Sequence, residues 1–283
     1  MEPTTWQRLT VSAPPEVREA LAALLVDWGA AGTAEETGAL SAWFRPADRP
    51  GVQARLERYA LDLGAPVGWR WDDEPEDGWR DRWKAFYRPA RVSERLGVCP
   101  TWEEWPGKDP RVRVIRLDPG RAFGTGTHET TRLCLGLLDR ALSARPDAQV
   151  LDVGCGSGIL SIGALLLGAG RAVALDIDPL AAQAARENAR RNGVADRLRV
   201  VAGDLRAVGG TYPLVVANIL YQVLLGLAPE LSARVEPGGT LILSGLLTQE
   251  AASAETVYGA LGLRPETREV EGEWAAVVLR RAS

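Results

Sequence analysis

Apolar positions along this chain change their spacing in a way that marks out two folding units. In residues 1–71, Thr5–Ala13 alternates apolar and polar side chains with the period of two expected of a half-buried strand. Pro14–Gly29 then takes the three-to-four spacing of an amphipathic helix, with prolines at its start and Gly29 at its stop. Ala39–Pro46 again suits a strand, a second helix follows at about 51–63, and Trp69–Trp71 forms a last strand. With room for one more strand around Gly32–Glu36, the order is β-α-β-β-α-β, the split βαβ arrangement of ferredoxin-like domains.

From Val98 onward, short apolar runs alternate with helical segments, the pattern of a doubly wound α/β sheet. Gln149–Val153 predicts a buried strand feeding a glycine loop, and Gly158–Gly170 the helix after it. Arg171–Pro179, Leu198–Leu205, Tyr212–Leu220 and Gly238–Leu247 predict four further strands, with a helix over Leu180–Gly193. Val257–Arg281 supplies a helix and a closing antiparallel pair, while Thr130–Leu142 predicts a helix ahead of the first strand. Between the two units, residues 72–95 are dense in charge and aromatics, with Trp and Tyr at helix-like spacing, and predict a linker helix. The expected division is therefore a ferredoxin-like domain at 1–71, a linker helix at 72–95 and a Rossmann-like α/β domain at 96–283.

Composition narrows the function classes. At 283 residues there is room for an α/β domain plus a smaller one, and 46% hydrophobic with 25% charged residues is the balance of an ordinary globular protein. A net charge of -4 gives no global attraction to nucleic acid or to anionic membranes. Cys99, Cys134 and Cys155 form no C-x-x-C pair, so neither a disulfide framework nor a metal site is expected. The apolar runs are too short for a membrane span and the first residues lack the pattern of a signal peptide, which together predict a cytoplasmic protein.

Candidate chemistry centres on Asp152-Val-Gly154-Cys-Gly156-Ser-Gly158, placed between a strand and a helix. Glycines there let the backbone turn sharply and approach a ligand. Asp176 ends the following strand, where a carboxylate can accept both hydroxyls of a ribose, so the pair points to an adenosine ligand. The dinucleotide fingerprint G-x-G-x-x-G/A is not met; the loop is instead preceded by Asp152, and an acidic site suits a cationic sulfonium better than a pyrophosphate. Asn218, ending the fourth strand, offers a donor and an acceptor to an amine or a methionyl group. Asp204, ending the third, is either a partner for an adenine amino group or a turn cap. Upstream, Leu117–Thr131 is a glycine-threonine loop suited to cap a cofactor and gate access to it. It carries His128, the only histidine, with two readings open: catalytic base or helix-start residue.

These motifs together resemble the ribosomal protein L-eleven methyltransferases, the PrmA family. The resemblance rests on LDPG-x-AFGTGTH-x-TTRLCL, D-x-GCGSGIL, DIDP, N-x-x-x-NGV, ANIL, PGG-x-LILSG and the EDGWRDRW-to-VCPTW segment, and spans nearly the whole chain. Two positions depart from it: Glu129 stands where the family loop often has proline, and Ala-Arg-Pro-Asp lengthens the stretch before Val150. The resemblance implies S-adenosyl-L-methionine as cofactor, a substrate-recognising N-terminal domain, and methylation of lysine and N-terminal amines of large-subunit ribosomal protein eleven. Carried over by motif, Thr131, Gly154, Asp176 and Asn218 contact the cofactor; the glycine loop and third strand add Gly156 and Asp204. Asn218, with His128 or water as proton acceptor, would serve the chemistry. Other readings of the residues remain: a methyltransferase for small molecules, another protein or nucleic acid, an NAD-dependent oxidoreductase, or a cofactor-binding module without activity.

Overall fold

The computed structural model describes residues 6–36, 39–63, 67–74, 87–117, 126 and 128–283. The chain divides into two compact units, 1–87 and 88–283.

In the first unit, β1 (Trp6–Ser12), α1 (Pro15–Asp27), β2 (Thr33–Glu36), β3 (Ala39–Phe44), α2 (Arg49–Leu63) and β4 (Gly68–Glu74) follow one another. The strands form one antiparallel sheet in the order β2-β3-β1-β4, so the crossover through α1 spans one intervening strand, as in ferredoxin-like folds. Alternation sends Leu9, Val11, Leu40, Ala42 and Phe44 to one face, where Leu21 and Leu25 of α1 and Val52 and Leu56 of α2 close the core. The indoles of Trp69 and Trp71 both donate to Gln53 Oε1, at 3.1 and 2.8 Å, tying β4 to α2.

The linker helix expected over 72–95 needs correction at both ends. Asp72–Glu74 complete β4, paired with β1 as far as Trp6↔Glu74, and Gln7 donates to Asp73 Oδ1 at 2.6 Å. The ladder on β1 thus holds this stretch extended. At the other end, β5 (Ala90–Arg91) pairs with β6 (Leu96–Cys99), which runs parallel to β7 (Arg113–Arg116). Residues 75–86 lie outside the described residues. The run from Val98 was also expected to belong to the doubly wound sheet; it forms this separate three-stranded sheet instead. Its apolar side chains Leu96, Val98 and Ile115 are buried in the larger core, so burial alone does not tell the two sheets apart.

The main sheet contains β8 (Gln149–Val153), β9 (Arg171–Asp176), β10 (Leu198–Ala202), β11 (Tyr212–Asn218), β12 (Val235–Leu247), β13 (Leu263–Glu271) and β14 (Trp274–Arg281). Their order is β10-β9-β8-β11-β12-β14-β13. The first five run parallel, and β14 is inserted antiparallel between β12 and β13. Helices α3 (Glu129–Ala144), α4 (Ile159–Leu166) and α5 (Pro179–Arg191) bury one face. Helices α6 (Tyr221–Gly226), α7 (Ala228–Arg234) and α8 (Ala251–Ala260) bury the other. The order in which strands are added reverses between the parallel neighbours β8 and β11, which opens a crevice at their carboxyl ends, where ligands of such sheets bind. Two ion pairs, Arg132–Glu271 at 2.6 Å and Arg140–Glu269, latch α3 onto β13.

Two further features shape that crevice. Over the span from Leu243↔Val277 to Leu246↔Ala275, β12 carries one residue more than β14, a β-bulge at Ser244–Gly245. Ser244 is also the residue that pairs with Asn218 of β11.

Candidate functional site

The glycine loop after β8 turns on three left-handed residues, Gly154 (φ 71°), Gly156 (φ 52°) and Gly158 (φ 79°). Its amides are engaged within the protein. Gly154 N and Cys155 N both donate to Leu175 O, at 2.9 and 3.0 Å, and Gly158 N donates to Cys155 O at 2.8 Å. Gly156 N donates to Asp176 Oδ2 at 2.8 Å, and Asp178 N to Asp176 Oδ1 at 3.0 Å. A pyrophosphate is held by free backbone amides; the loop amides of Gly154, Cys155, Gly156 and Gly158 are already engaged, which counts against a dinucleotide ligand. The same bonds hold the half-buried Asp176 carboxylate beside the loop at the carboxyl edge, each oxygen keeping a further lone pair for a hydroxyl donor.

Asp152 departs from the expectation that it lends its charge to the site. Strand alternation turns its side chain with Val150 into the face covered by α3 and α4, where it is fully buried. Oδ2 accepts from Ser161 N at 3.1 Å and Ser161 Oγ at 2.6 Å, joining the strand end to the first turn of α4. Oδ1 is buried with no hydrogen-bond partner. Burial pushes the carboxyl up to about 6, against the pull of the Ser161 hydrogen bonds.

At the start of α3, His128 is the N-cap. Its Nδ1 accepts from Thr130 N at 3.3 Å and lies 2.8 Å from Thr130 Oγ1, while its ring edge meets Trp274 with centroids 5.1 Å apart. Asn218 Nδ2 donates to the same Thr130 Oγ1 at 3.2 Å. The Thr130 hydroxyl thus joins the Asn218 amide, from which it accepts, to the His128 ring. Nδ1 is occupied by the helix cap. Of the two readings open for His128, the geometry supplies the helix-start role.

Thr131, one residue on, is 1% exposed, and its Oγ1 is buried without a hydrogen-bond partner. An orphaned buried hydroxyl costs about 1–3 kcal/mol, so its retention at this edge fits a polar ligand that completes it. Asp204 is occupied differently: Oδ1 caps Arg206 N at 2.9 Å and Oδ2 pairs with Arg206 Nε at 2.9 Å, the turn-cap geometry. The structure thus brings Gly154, Gly156 and Asp176 together by hydrogen bonds, and joins Asn218 to His128 through Thr130. Residues 118–125 and 127 of the glycine-threonine loop lie outside the described residues.

Several residues of this edge escaped the sequence reasoning. Thr130 is the bridge between Asn218 and His128. Ile177 is 79% exposed and Leu220 75%, apolar surfaces one residue beyond the end of β9 and two beyond the end of β11. Their signal was positional: each follows a polar strand-end residue that was itself singled out. Among the described residues there is no group of three or more His, Cys, Asp or Glu able to hold a metal, and no helix long and apolar enough to cross a membrane. The thiols of Cys99, Cys134 and Cys155 are free and buried, and burial pushes that of Cys134 up to about 12.

Residues 35–282 match the family model described as Ribosomal protein L11 methyltransferase (PrmA). A ribosomal protein L11 methyltransferase of Pelotomaculum thermopropionicum is 39% identical, covering 97% of this chain and 98% of the relative. One from Chloroflexus aurantiacus is 37% identical with 99% of each chain covered. Among solved structures, the ribosomal protein L11 methylase of Lactobacillus delbrueckii subsp. bulgaricus superposes with a TM-score of 0.64 at 34% identity, over 70% of this chain and 100% of that one.

Proposed function

The chain belongs to the ribosomal protein L11 methyltransferase family, and from that premise we propose that it methylates lysine and N-terminal amines of large-subunit ribosomal protein eleven. It is an S-adenosyl-L-methionine-dependent protein methyltransferase. We place its work in the cytoplasm, on the ribosomal protein either free or in the assembled subunit, with no direct role for nucleic-acid recognition.

The observation that carries the reading is the Asn218–Thr130 hydrogen bond at the end of β11. It engages Nδ2 and leaves Oδ1 as the accepting end of an amide fixed at the carboxyl edge. The residues present fit the cofactor. Asp176 offers acceptors for the ribose hydroxyls, Ile177 an apolar surface for the base, and Thr131 the buried hydroxyl that a methionyl group would complete. Gly154 and Gly156 hold the loop close, and Asp204 could meet the adenine amino group only through a lone pair not already taken by Arg206. When bound, the cofactor supplies a methyl group on a sulfonium, already a good leaving group.

The chain's own task is then to present a neutral amine in line. A free lysine amine has a pKa of about 10.4 and must lose a proton before it can act. Asn218 Oδ1, accepting one N–H of the neutral amine, would turn the nitrogen lone pair away from itself and toward the methyl group. Orientation of this kind can supply most of the acceleration. With Nδ1 of His128 occupied by the helix cap, water is the proton acceptor in this scheme.

The test is Asn218→Ala assayed with purified ribosomal protein eleven, radiolabelled cofactor and mass spectrometry of the product. Expected is a loss of turnover on the order of 10²-fold with S-adenosylhomocysteine still bound. Normal turnover would remove Asn218 from the mechanism, and labelling of other acceptors but not the ribosomal protein would overturn the substrate.

A further inference from the structure

Ile219 follows Asn218, and it is held from two sides by glycines that come from different parts of the chain. On one side is Gly154 of the loop after β8: a Cβ built there would lie 2.3 Å from Ile219 Cγ2, so the side chain occupies the space any larger residue would need. On the other is Gly245 in the β12 bulge. A Cβ there would lie 2.3 Å from Ile219 O, 2.9 Å from its carbonyl carbon and 3.1 Å from its nitrogen, so the backbone of Ile219 rests against a bare Cα. Both glycines are left-handed, Gly154 at φ 71° and Gly245 at φ 81°.

The two contacts differ in kind. Gly154 meets a side chain, which can rotate or be trimmed; Gly245 meets a peptide unit, which can only move as a whole. Because Ser244 pairs with Asn218, the bulge lies level with the amide that ends β11. An ordinary strand at this position would continue the ladder and present a side chain where Ile219 now passes.

We propose that Gly245, with Gly154 opposite, is a positioning residue of the methyl-transfer reaction: the pair seats Ile219 and thereby sets where the Asn218 amide stands. This rests on the reading of Asn218 as the group that orients the acceptor amine. An alanine at 245 would have to push the Ile219 peptide from 2.3 Å to an ordinary contact of 3.4 Å or more, a displacement of about 1 Å, and misplacement by that much at a reacting centre costs on the order of 10²-fold in rate. Gly245 itself is not among the residues that would hold the cofactor, so S-adenosylhomocysteine binding is left nearly intact.

The experiment measures kcat, the KM for ribosomal protein eleven and S-adenosylhomocysteine affinity for Gly245→Ala, with Asn218→Ala and Gly262→Ala alongside. Gly262 has a matching φ of 86°, and a Cβ there meets nothing within 4 Å, so its alanine variant carries the backbone strain without the collision. Expected is a fall in kcat on the order of 10²-fold for Gly245→Ala, with affinity for S-adenosylhomocysteine within about threefold of the parent and kcat of Gly262→Ala unchanged. The seat is refuted if Gly245→Ala keeps the parent kcat while Asn218→Ala loses it, or if the cofactor product binds correspondingly weaker. Should Asn218→Ala turn over normally, the underlying reading of Asn218 fails instead. If Gly245→Ala does not fold, Ile219→Ala decides: it empties the seat from the Gly154 side, and a kcat equal to the parent's overturns the proposal.

Discussion

Replacing Asp152 by asparagine is expected to change the way stability varies with pH. In the folded chain burial pushes this carboxyl from its usual 3.8 up to about 6, the Ser161 hydrogen bonds pulling the other way and Asp176 adding a smaller push upward. Between those two values the native state holds a proton that the unfolded chain has released. Stability therefore falls as pH rises through this window. Asp152 contributes its full stabilisation below about pH 4 and has lost it above about pH 6. A displacement of roughly two units, at about 1.4 kcal/mol each, amounts to about 3 kcal/mol. Asparagine has nearly the same shape and cannot ionise, so Asp152→Asn lacks this loss. Its stability relative to the parent should improve by about 3 kcal/mol between roughly pH 4 and pH 7. Urea unfolding of both proteins at closely spaced pH values, without cofactor, measures the difference directly. A constant offset across the range would refute the reasoning, since any effect of the amide on packing or hydrogen bonding does not depend on pH.

Asp176→Ala removes the acceptor of Gly156 N and Asp178 N together with the proposed ribose contact. With hydrogen bonds to a charged group worth about 1.5–3 kcal/mol, calorimetry should show S-adenosylhomocysteine binding at least about tenfold weaker; unchanged affinity would place the sugar elsewhere. His128→Ala removes the α3 cap and should cost about 1 kcal/mol in thermal or chemical unfolding, whereas His128→Asn, a capping residue, should recover most of it. If His128→Asn is stable but inactive, the ring carries a proton in the reaction after all.

The architecture was open to sequence reasoning wherever burial has a simple period. Leu9 and Val11 alternate across β1, and Val150–Val153 ends at a glycine turn, so strand identity and the position of the crevice followed. Failures came where pairing depends on distant partners. Nothing local tells Leu96–Cys99 to pair with Arg113–Arg116 instead of joining the main sheet, and Asp72–Glu74 are extended because β1 runs alongside, against the charged composition. Helices α6 and α7 are too short for periodicity to distinguish. Asp176 and Asn218 were placed at the ends of β9 and β11 because a strand end is a position that can be counted. Asp152 was placed in the site because its strand was recognised as an apolar run, which does not say which face a side chain takes, and its pairing with Ser161 required knowing how α4 packs. Thr130 and Gly245 act through neighbours brought together only by the fold.

The insertion of β14 between β12 and β13 has a consequence for synthesis. β14 is made after both strands it separates, so an emerging chain holds β12 and β13 with nothing yet to join them. Until Trp274–Arg281 leaves the exit tunnel, β12 exposes an open edge prone to wrong pairing. Trp274 in that later strand also touches His128, so the start of α3 acquires this neighbour only once β14 has been made.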